Sequence, residues 1–323
     1  MNGNIIKNST RLINKSQYSV STNCLNNIYK KLFYSTNANN KGLLGLVLNQ
    51  DGRGGCLIDI GAREPLITRS DYFKRFTKRV GATSLFLGKD INDIGIDNTS
   101  LNKKKTNKKK KSKAGKLQMI DIQKLLVSPL LPHPDADPVD TFEFEFQLVK
   151  EALDNCSWKL NDSLEIRRSV ISQHAARIVT GGFIMTAPKN GSINNPYDIL
   201  NAMSEVSDED KELQDQGFGE LATMLTLSLK GKRSKAVSVC RKMSRFANQL
   251  AKHITIFNPR YISEEEYKKE TKKTEVPEED KEKILLNQKF MFDNEQTVAE
   301  AIETVESIDE VKVTVSSFVR WTL

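Results

Sequence analysis

The chain has 323 residues, enough for two modest domains, and a formal net charge of +8 with 28% charged residues. It contains no run near the roughly 18 apolar residues that a membrane span requires. Its four cysteines are too far apart in sequence for paired zinc or disulfide spacing; they are Cys24, Cys56, Cys156 and Cys240. Composition therefore excludes a helical membrane protein and a small disulfide scaffold, and it predicts no metal site.

The positive charge is confined to two segments. Residues 1–50 carry a net charge of +6, and Lys103–Lys116 carries +9. The rest of the chain therefore has a net charge of −7. The positive charge of the protein thus comes from these two segments and not from the predicted folded part.

Residues 1–36 have the composition of a mitochondrial transit peptide. The segment is basic and rich in Ser, Thr and Asn, and no Asp or Glu precedes Asp51. It lacks the continuous apolar block of about 7–15 residues that a secretory signal carries. We therefore predict removal of this segment and a location in the mitochondrial matrix; an Asn-rich tail without a targeting role is the alternative.

Residues 43–101 predict a small β-rich unit. Two apolar runs, Leu43–Leu48 and Cys56–Ile60, flank the turn-forming sequence Asp51–Gly55. The wider pattern consists of Gly45-x-Val47, Gly55–Gly61, Glu64-x-Leu66-Ile67 and Ser70. It resembles the OB-type repeat of ribosomal protein one, which implies a barrel that binds single-stranded RNA. A plain β-hairpin core is the alternative.

Residues 102–118 predict a lysine-rich linker. The stretch Lys103–Lys116 has nine Lys in fourteen residues, and such a density of like charges repels itself into an open chain. The segment is either an arm that neutralises RNA phosphates or a solvated linker. Its candidate RNA contacts are Lys108, Lys109, Lys110 and Lys111.

Residues 119–216 have a mixed α/β pattern, with a helix predicted over Asp140–Cys156. Asp135–Val139 resembles the D-x-D-x-[TV] string of haloacid-dehalogenase phosphatases, in which a buried strand presents the first Asp. The prolines that precede it here exclude a central strand. The three histidines, His133, His174 and His253, have no partner at metal or triad spacing. We therefore predict no enzymatic activity, no cofactor and no small-molecule substrate.

Residues 217–323 predict a helical domain with a charged insertion, 258–292. The predicted elements are helices over Phe218–Lys230, Ser234–Ile254 and Asn294–Ser307, and a strand through Val311, Val313 and Val315. Asp293 and Gln296 stand at the spacing of a capping box for the third helix.

The second of these helices has two distinct faces. Its apolar face consists of Ala236, Val239, Met243, Phe246, Leu250 and Ile254. Its basic face consists of Arg241, Lys242, Arg245 and Lys252, with Lys235 at the edge. The apolar face can pack against a core while the basic face meets phosphate; a merely solvated basic face is the alternative.

Two stretches are similar to the small-subunit ribosomal protein seven family. The first, 217–246, matches a pair of helices around a Gly-Lys-Lys/Arg-Ser-x-Ala turn; the matching residues are Phe218, Gly219, Glu220, Leu221, Gly231, Lys232, Arg233, Ser234 and Ala236. The second, 298–313, resembles the family's next helix and strand. The family's Arg-Arg-Val-Gly-Gly hairpin entry is absent after Lys312.

The sequence thus predicts an α+β fold with a small N-terminal β-rich (OB-like) unit and a mainly α-helical C-terminal region that ends in a short strand. The resemblance implies a structural component of the mitochondrial small ribosomal subunit that binds ribosomal RNA and other small-subunit proteins. Its predicted RNA contacts are Lys232, Arg233, Lys235, Arg241, Lys242 and Arg245, beside the lysines of the linker. The alternative is a matrix assembly or adaptor protein that binds other proteins through its helical C-terminal half.

Deletion of residues 1–36 should leave the protein in the cytosol, because the acid-free basic segment supplies the attraction to the electronegative matrix. Cell fractionation measures this, with residues 1–36 fused to a cytosolic reporter as the matched test of sufficiency. Matrix localisation of the truncated chain would contradict the assignment.

Overall fold

The structure is a computed structural model that describes residues 42–93, 115–132, 147–173, 175–189, 192–231, 234 and 236–323. The predicted leader lies outside these residues, and so do Lys108–Lys111, Lys232, Arg233 and Lys235.

Strands and helices are interspersed along the described chain. The strands are β1 (Gly42–Leu48), β2 (Gly55–Gly61), β3 (Gln118–Met119), β4 (Glu165–Ser172), β5 (Ile178–Met185), β6 (Phe218–Gly219), β7 (Leu221–Lys230), β8 (Lys289–Phe290), β9 (Asp293–Thr297) and β10 (Lys312–Thr322). The helices are α1 (Asp71–Asp93), α2 (Ile122–Leu126), α3 (Val149–Leu160), α4 (Pro196–Ser204), α5 (Asp208–Asp215), α6 (Val237–Phe257), α7 (Glu264–Thr271), α8 (Glu278–Lys281) and α9 (Val298–Asp309). Two short 3-10 segments are Pro65–Arg69 and Leu285–Asn287. The predicted α+β class is confirmed.

Two antiparallel sheets form the core. The first has the strand order β3-β4-β2-β1-β6, and the second has the order β10-β7-β5. Helix α1 covers one face of the first sheet through Phe73, Phe76 and Val80. The other face contributes Leu44 and Leu57 to a cluster with residues of β7 and β10. Strand β2 is consequently buried along its whole length.

The two sheets repeat one order of elements. In the first, a pair of antiparallel strands (β1, β2) is followed by the long helix α1, and the shorter helix α3 precedes β4, which pairs with β2. In the second, β5 and β7 are followed by the long helix α6, and α9 precedes β10, which pairs with β7. Each half therefore builds three strands and two helices in the same way.

Three predicted elements are confirmed. The hairpin β1–β2 turns through the predicted glycines, with Gly52 at φ 69° and Gly54 at φ 138°. Helix α6 buries the predicted stripe that includes Met243, Phe246 and Leu250. The C-terminal strand is present and longer than predicted, because β10 pairs with β7 almost to the end of the chain.

The helix predicted over Phe218–Lys230 is wrong: this segment contains strand β7, the middle strand of the second sheet. The seven residues Leu221–Leu227 are all buried, because α6 covers one face of the sheet and the first sheet packs on the other. A strand that is buried on both faces loses its alternating pattern, and its apolar run can mimic helical spacing. Residues 217–246 are thus a strand and a helix, not the two helices that the resemblance implies.

The capping box predicted at Asp293 and Gln296 is also wrong. Asp293–Thr297 is strand β9, and α9 begins after Thr297. The Thr297 hydroxyl accepts the N–H of Glu300, whose carboxylate accepts the N–H of Thr297 at 2.7 Å. The reciprocal bonds therefore fix the helix start four residues later than predicted.

The described part of region 43–101 does not close a barrel of its own. Its hairpin is followed by a 3-10 segment and the 23-residue helix α1, and the strands that flank the hairpin, β4 and β6, come from later in the chain. Of the helix predicted over Asp140–Cys156, the described part begins at Val149, after a bridge between Pro129 and Leu148.

The only histidine in α6, His253, is fully buried in the second half of the molecule. Its Nε2 donates to Gln288 Oε1 at 2.9 Å, and Nδ1 accepts the N–H of Met291 at 3.4 Å. Burial lowers the pKa of His253 to about 4, although the Gln288 hydrogen bond raises it somewhat. The imidazole is therefore neutral in the folded protein at neutral pH.

This environment predicts a pH-dependent stability. Above pH 6.5 His253 is neutral in both states and the fold keeps its full stability, but as the pH falls toward 4 only the unfolded chain takes up the proton. The free energy of unfolding should therefore fall by about 3 kcal/mol relative to His253→Gln over this range, at 1.36 kcal/mol per pKa unit. Urea denaturation of the unmodified protein and of His253→Gln between pH 7 and pH 4 measures the difference. An equal loss of unfolding free energy in the two proteins would contradict the prediction.

Candidate binding surfaces

The basic face of α6 is the described part of the predicted RNA site. Arg241, Lys242 and Arg245 are all exposed, on the side of the helix away from its buried stripe. Lys242 Nζ lies 3.1 Å from Asp309 Oδ1 at the end of α9. Neither arginine has an ion-pair partner among the residues that the structure describes. The structure thus brings three predicted contacts together, and one of them is already paired with a carboxylate.

The described residues are slightly acidic as a whole. They contain 32 Lys and Arg against 35 Asp and Glu. Residues 192–231 hold eight acidic and two basic side chains, and residues 264–310 hold sixteen acidic and seven basic ones. Contact with phosphate by this part of the molecule is therefore limited to local patches.

A second candidate surface is formed by two exposed apolar side chains. Leu66 is 79% exposed on the 3-10 segment Pro65–Arg69, and Trp158 is 82% exposed in the last turn of α3. Both lie within four residues of the same contact: Asp162 Oδ2 accepts the backbone N–H groups of Arg63 and Glu64 at 3.0 and 3.1 Å. We call this pair the Leu66–Trp158 surface.

The segment that carries Leu66 is held at its other end as well. Arg69 donates to Glu209 at 2.7 Å and to Asp210 at 2.9 Å, and the Asp210 side chain is almost fully buried. Within the segment, the Thr68 hydroxyl donates to the carbonyl of Pro65 at 2.6 Å. Leu66 is therefore presented to solvent from backbone that is fixed on both sides.

Sequence reasoning did not identify this surface. Leu66 entered only as part of the resemblance to the OB-type RNA-binding repeat, and Trp158 carried no signal at all. An apolar residue that stays exposed leaves no periodicity to detect. The one local signal was Pro65, which favours the first position of a helical turn.

Cys56 is fully buried, and burial raises the pKa of its thiol to about 11, so it is not a thiolate nucleophile at neutral pH. No group of three His, Cys, Asp or Glu side chains in the described ranges is placed to hold a metal ion. In the same ranges no helix is both long and apolar enough to cross a bilayer.

A comparison with models of known protein families finds no match to this chain, and a comparison with curated proteins finds no similar one.

Proposed function

We propose that the protein is a non-enzymatic binding protein of the mitochondrial matrix that docks on another protein through the Leu66–Trp158 surface. The matrix location rests on the transit peptide predicted over residues 1–36. The observation that carries the docking proposal is the 79% exposure of Leu66 on a segment fixed at both ends. This refines the adaptor alternative and moves its contact from the C-terminal helices to the segment that follows β2 in the first sheet.

The energetics favour such a contact. Burial of a leucine side chain is worth about 1.5–3 kcal/mol, and tryptophan is among the residues most enriched in binding hot spots. Because the segment is already ordered by Asp162 and Asp210, little conformational entropy is lost on binding. The charged residues around it, Arg63, Glu64 and Glu209, are exposed and supply a polar rim.

Replacement of Leu66 by Asp should weaken partner binding by roughly 10- to 100-fold, since the lost burial is about 1.5–3 kcal/mol. The measurement is quantitative mass spectrometry of proteins that co-purify with the tagged chain from ribonuclease-treated mitochondria. Ile308→Asp is the matched control, because Ile308 is 66% exposed on α9. Recovery of the same proteins with the Leu66 variant as with the unmodified chain would contradict docking at this surface.

The second candidate function is the predicted one, a ribosomal-RNA-binding component of the mitochondrial small ribosomal subunit. The exposure of Arg241 and Arg245 on one face of α6 favours it. Arg53, from the β1–β2 turn, lies against the same helix with Nη2 3.3 Å from Cys240 Sγ. This patch and the lysine-rich segment would contact phosphates, while acidic surfaces would face protein neighbours.

Reversal of Arg241, Lys242 and Arg245 to Glu should weaken RNA association strongly and leave the chain folded, because these side chains point away from the buried stripe. The change also removes the Lys242–Asp309 ion pair, which lowers stability slightly. The salt dependence of affinity should lose about 2–3 units of logarithmic slope, the share of three phosphate contacts. Filter binding with mitochondrial ribosomal RNA and sedimentation of ribosomal particles measure both effects. Lys272, Lys281 and Lys283, reversed together, provide a control of equal charge change. If the variant of Arg241, Lys242 and Arg245 still entered ribosomal particles normally, the basic face would be solvated and would not bind RNA.

A further inference from the structure

An open groove of 680 Å³ lies between α7, α9 and the first half of β10. Its apolar lining includes Ile262, Ile302 and Val313. Its rim carries four carboxylates against two lysines, Lys269 and Lys312. The carboxylates are those of Glu265, Glu266, Glu303 and Glu306. The groove thus combines an apolar lining with a net negative rim.

Two of the carboxylates accept backbone N–H groups of the groove wall, and the other two are exposed. Glu306 accepts the N–H of Val313 at 2.6 Å, and Glu266 accepts the N–H of Ile262 at 2.6 Å. Glu265 and Glu303 are exposed. A hydrogen bond from Ser263 lowers the pKa of Glu265, so this rim charge persists at neutral pH.

The groove runs along the outer edge of a sheet. Within the described chain, β10 pairs only with β7, so its other side is an edge. The N–H of Val313 points to that side, as its bond to Glu306 shows, and by the alternation of an antiparallel strand Val315 faces the same way. An edge of this kind pairs readily with an extended chain, although Glu306 already accepts the N–H of Val313.

The lysine-rich segment enters the described structure at β10, four residues along the strand from the groove residue Val313. The carbonyl of Gly115 accepts the Thr226 hydroxyl at 2.5 Å, and the N–H of Leu117 donates to Ser317 Oγ at 2.9 Å. From Ser317 back to Val313 is about 13 Å along β10 at 3.3 Å per residue. The eleven residues Lys103–Lys113, which contain eight Lys, have a fully extended length of about 36 Å, which exceeds this distance along the strand.

We propose that this acidic groove binds the lysine-rich segment Lys103–Lys113 of the same chain. Single exposed ion pairs are weak, but attachment at Gly115 gives the lysines an effective concentration in the millimolar range, so several weak pairs act together. Lysines held by the groove are withheld from phosphate, and RNA must compete with the carboxylates for them. The contact does not depend on the Leu66–Trp158 surface.

Zero-length carbodiimide cross-linking of the full chain tests the proposal, because it joins only amines and carboxylates in contact. We expect cross-links from Lys103–Lys113 to fall mainly on the four groove glutamates and to decrease several-fold when salt rises from about 50 to 500 mM. The acidic helix α5, with Asp208, Glu209, Glu212 and Asp215, is an internal control. Cross-links spread over α5 as heavily as over the groove would overturn the proposal.

A charge variant separates the groove from general attraction. Glu265→Gln with Glu303→Gln should reduce the remaining cross-links to Glu266 and Glu306 several-fold, whereas Glu205→Gln with Glu212→Gln should leave them unchanged. Mixing of isotopically light and heavy chains distinguishes contacts within one molecule from contacts between copies. Cross-links mainly between light and heavy chains would make a second copy the occupant and overturn the assignment to the same chain.

Discussion

The two halves of the molecule depend on one buried carboxylate. Asp59, in the middle of β2, is 2% exposed and accepts a bond from Arg168 Nε of β4 at 2.7 Å. The same guanidinium donates to the carbonyl of Thr322 at 2.9 Å and stacks 4.4 Å from the Trp321 ring. Arg167 Nη1 lies 3.8 Å from the other oxygen of the same carboxylate, so Asp59 pairs with two neighbouring arginines of β4. These contacts fix β2 against β4, and Arg168 holds the end of β10 on the first sheet.

With that frame fixed, the surface features become rigid. The segment that carries Leu66 follows β2 directly, and it is tied to the α3–β4 loop by Asp162 and to α5 by Asp210. An exposed apolar side chain on such backbone differs from the scattered apolar residues of any protein surface, because its backbone is held in place before any partner binds. This difference is the reason for proposing protein docking at this surface.

The described part of the protein carries its charge in separate patches, so each charged ligand would contact one patch and not the whole surface. The strongly basic segments lie outside the described residues, while the described part holds 32 basic and 35 acidic side chains. The three exposed cations on α6 and the four glutamates beside β10 are separate patches of opposite sign. Both a phosphate ligand and a lysine-rich ligand can thus be accommodated on one molecule, each on its own patch.

The sequence by itself determined the elements whose signals are local. The glycines at 52 and 54 specified the β1–β2 turn, and the 3.6-residue period of Met243, Phe246 and Leu250 specified α6. Tertiary structure decided the rest. Segment 221–230 is a strand because both of its faces are covered. Strand β2 pairs with β4, which lies more than a hundred residues away in sequence. Leu66 is exposed on backbone that carboxylates distant in sequence hold in place. Local patterns record what a segment buries, whereas pairing and exposure depend on contacts between residues far apart in the chain.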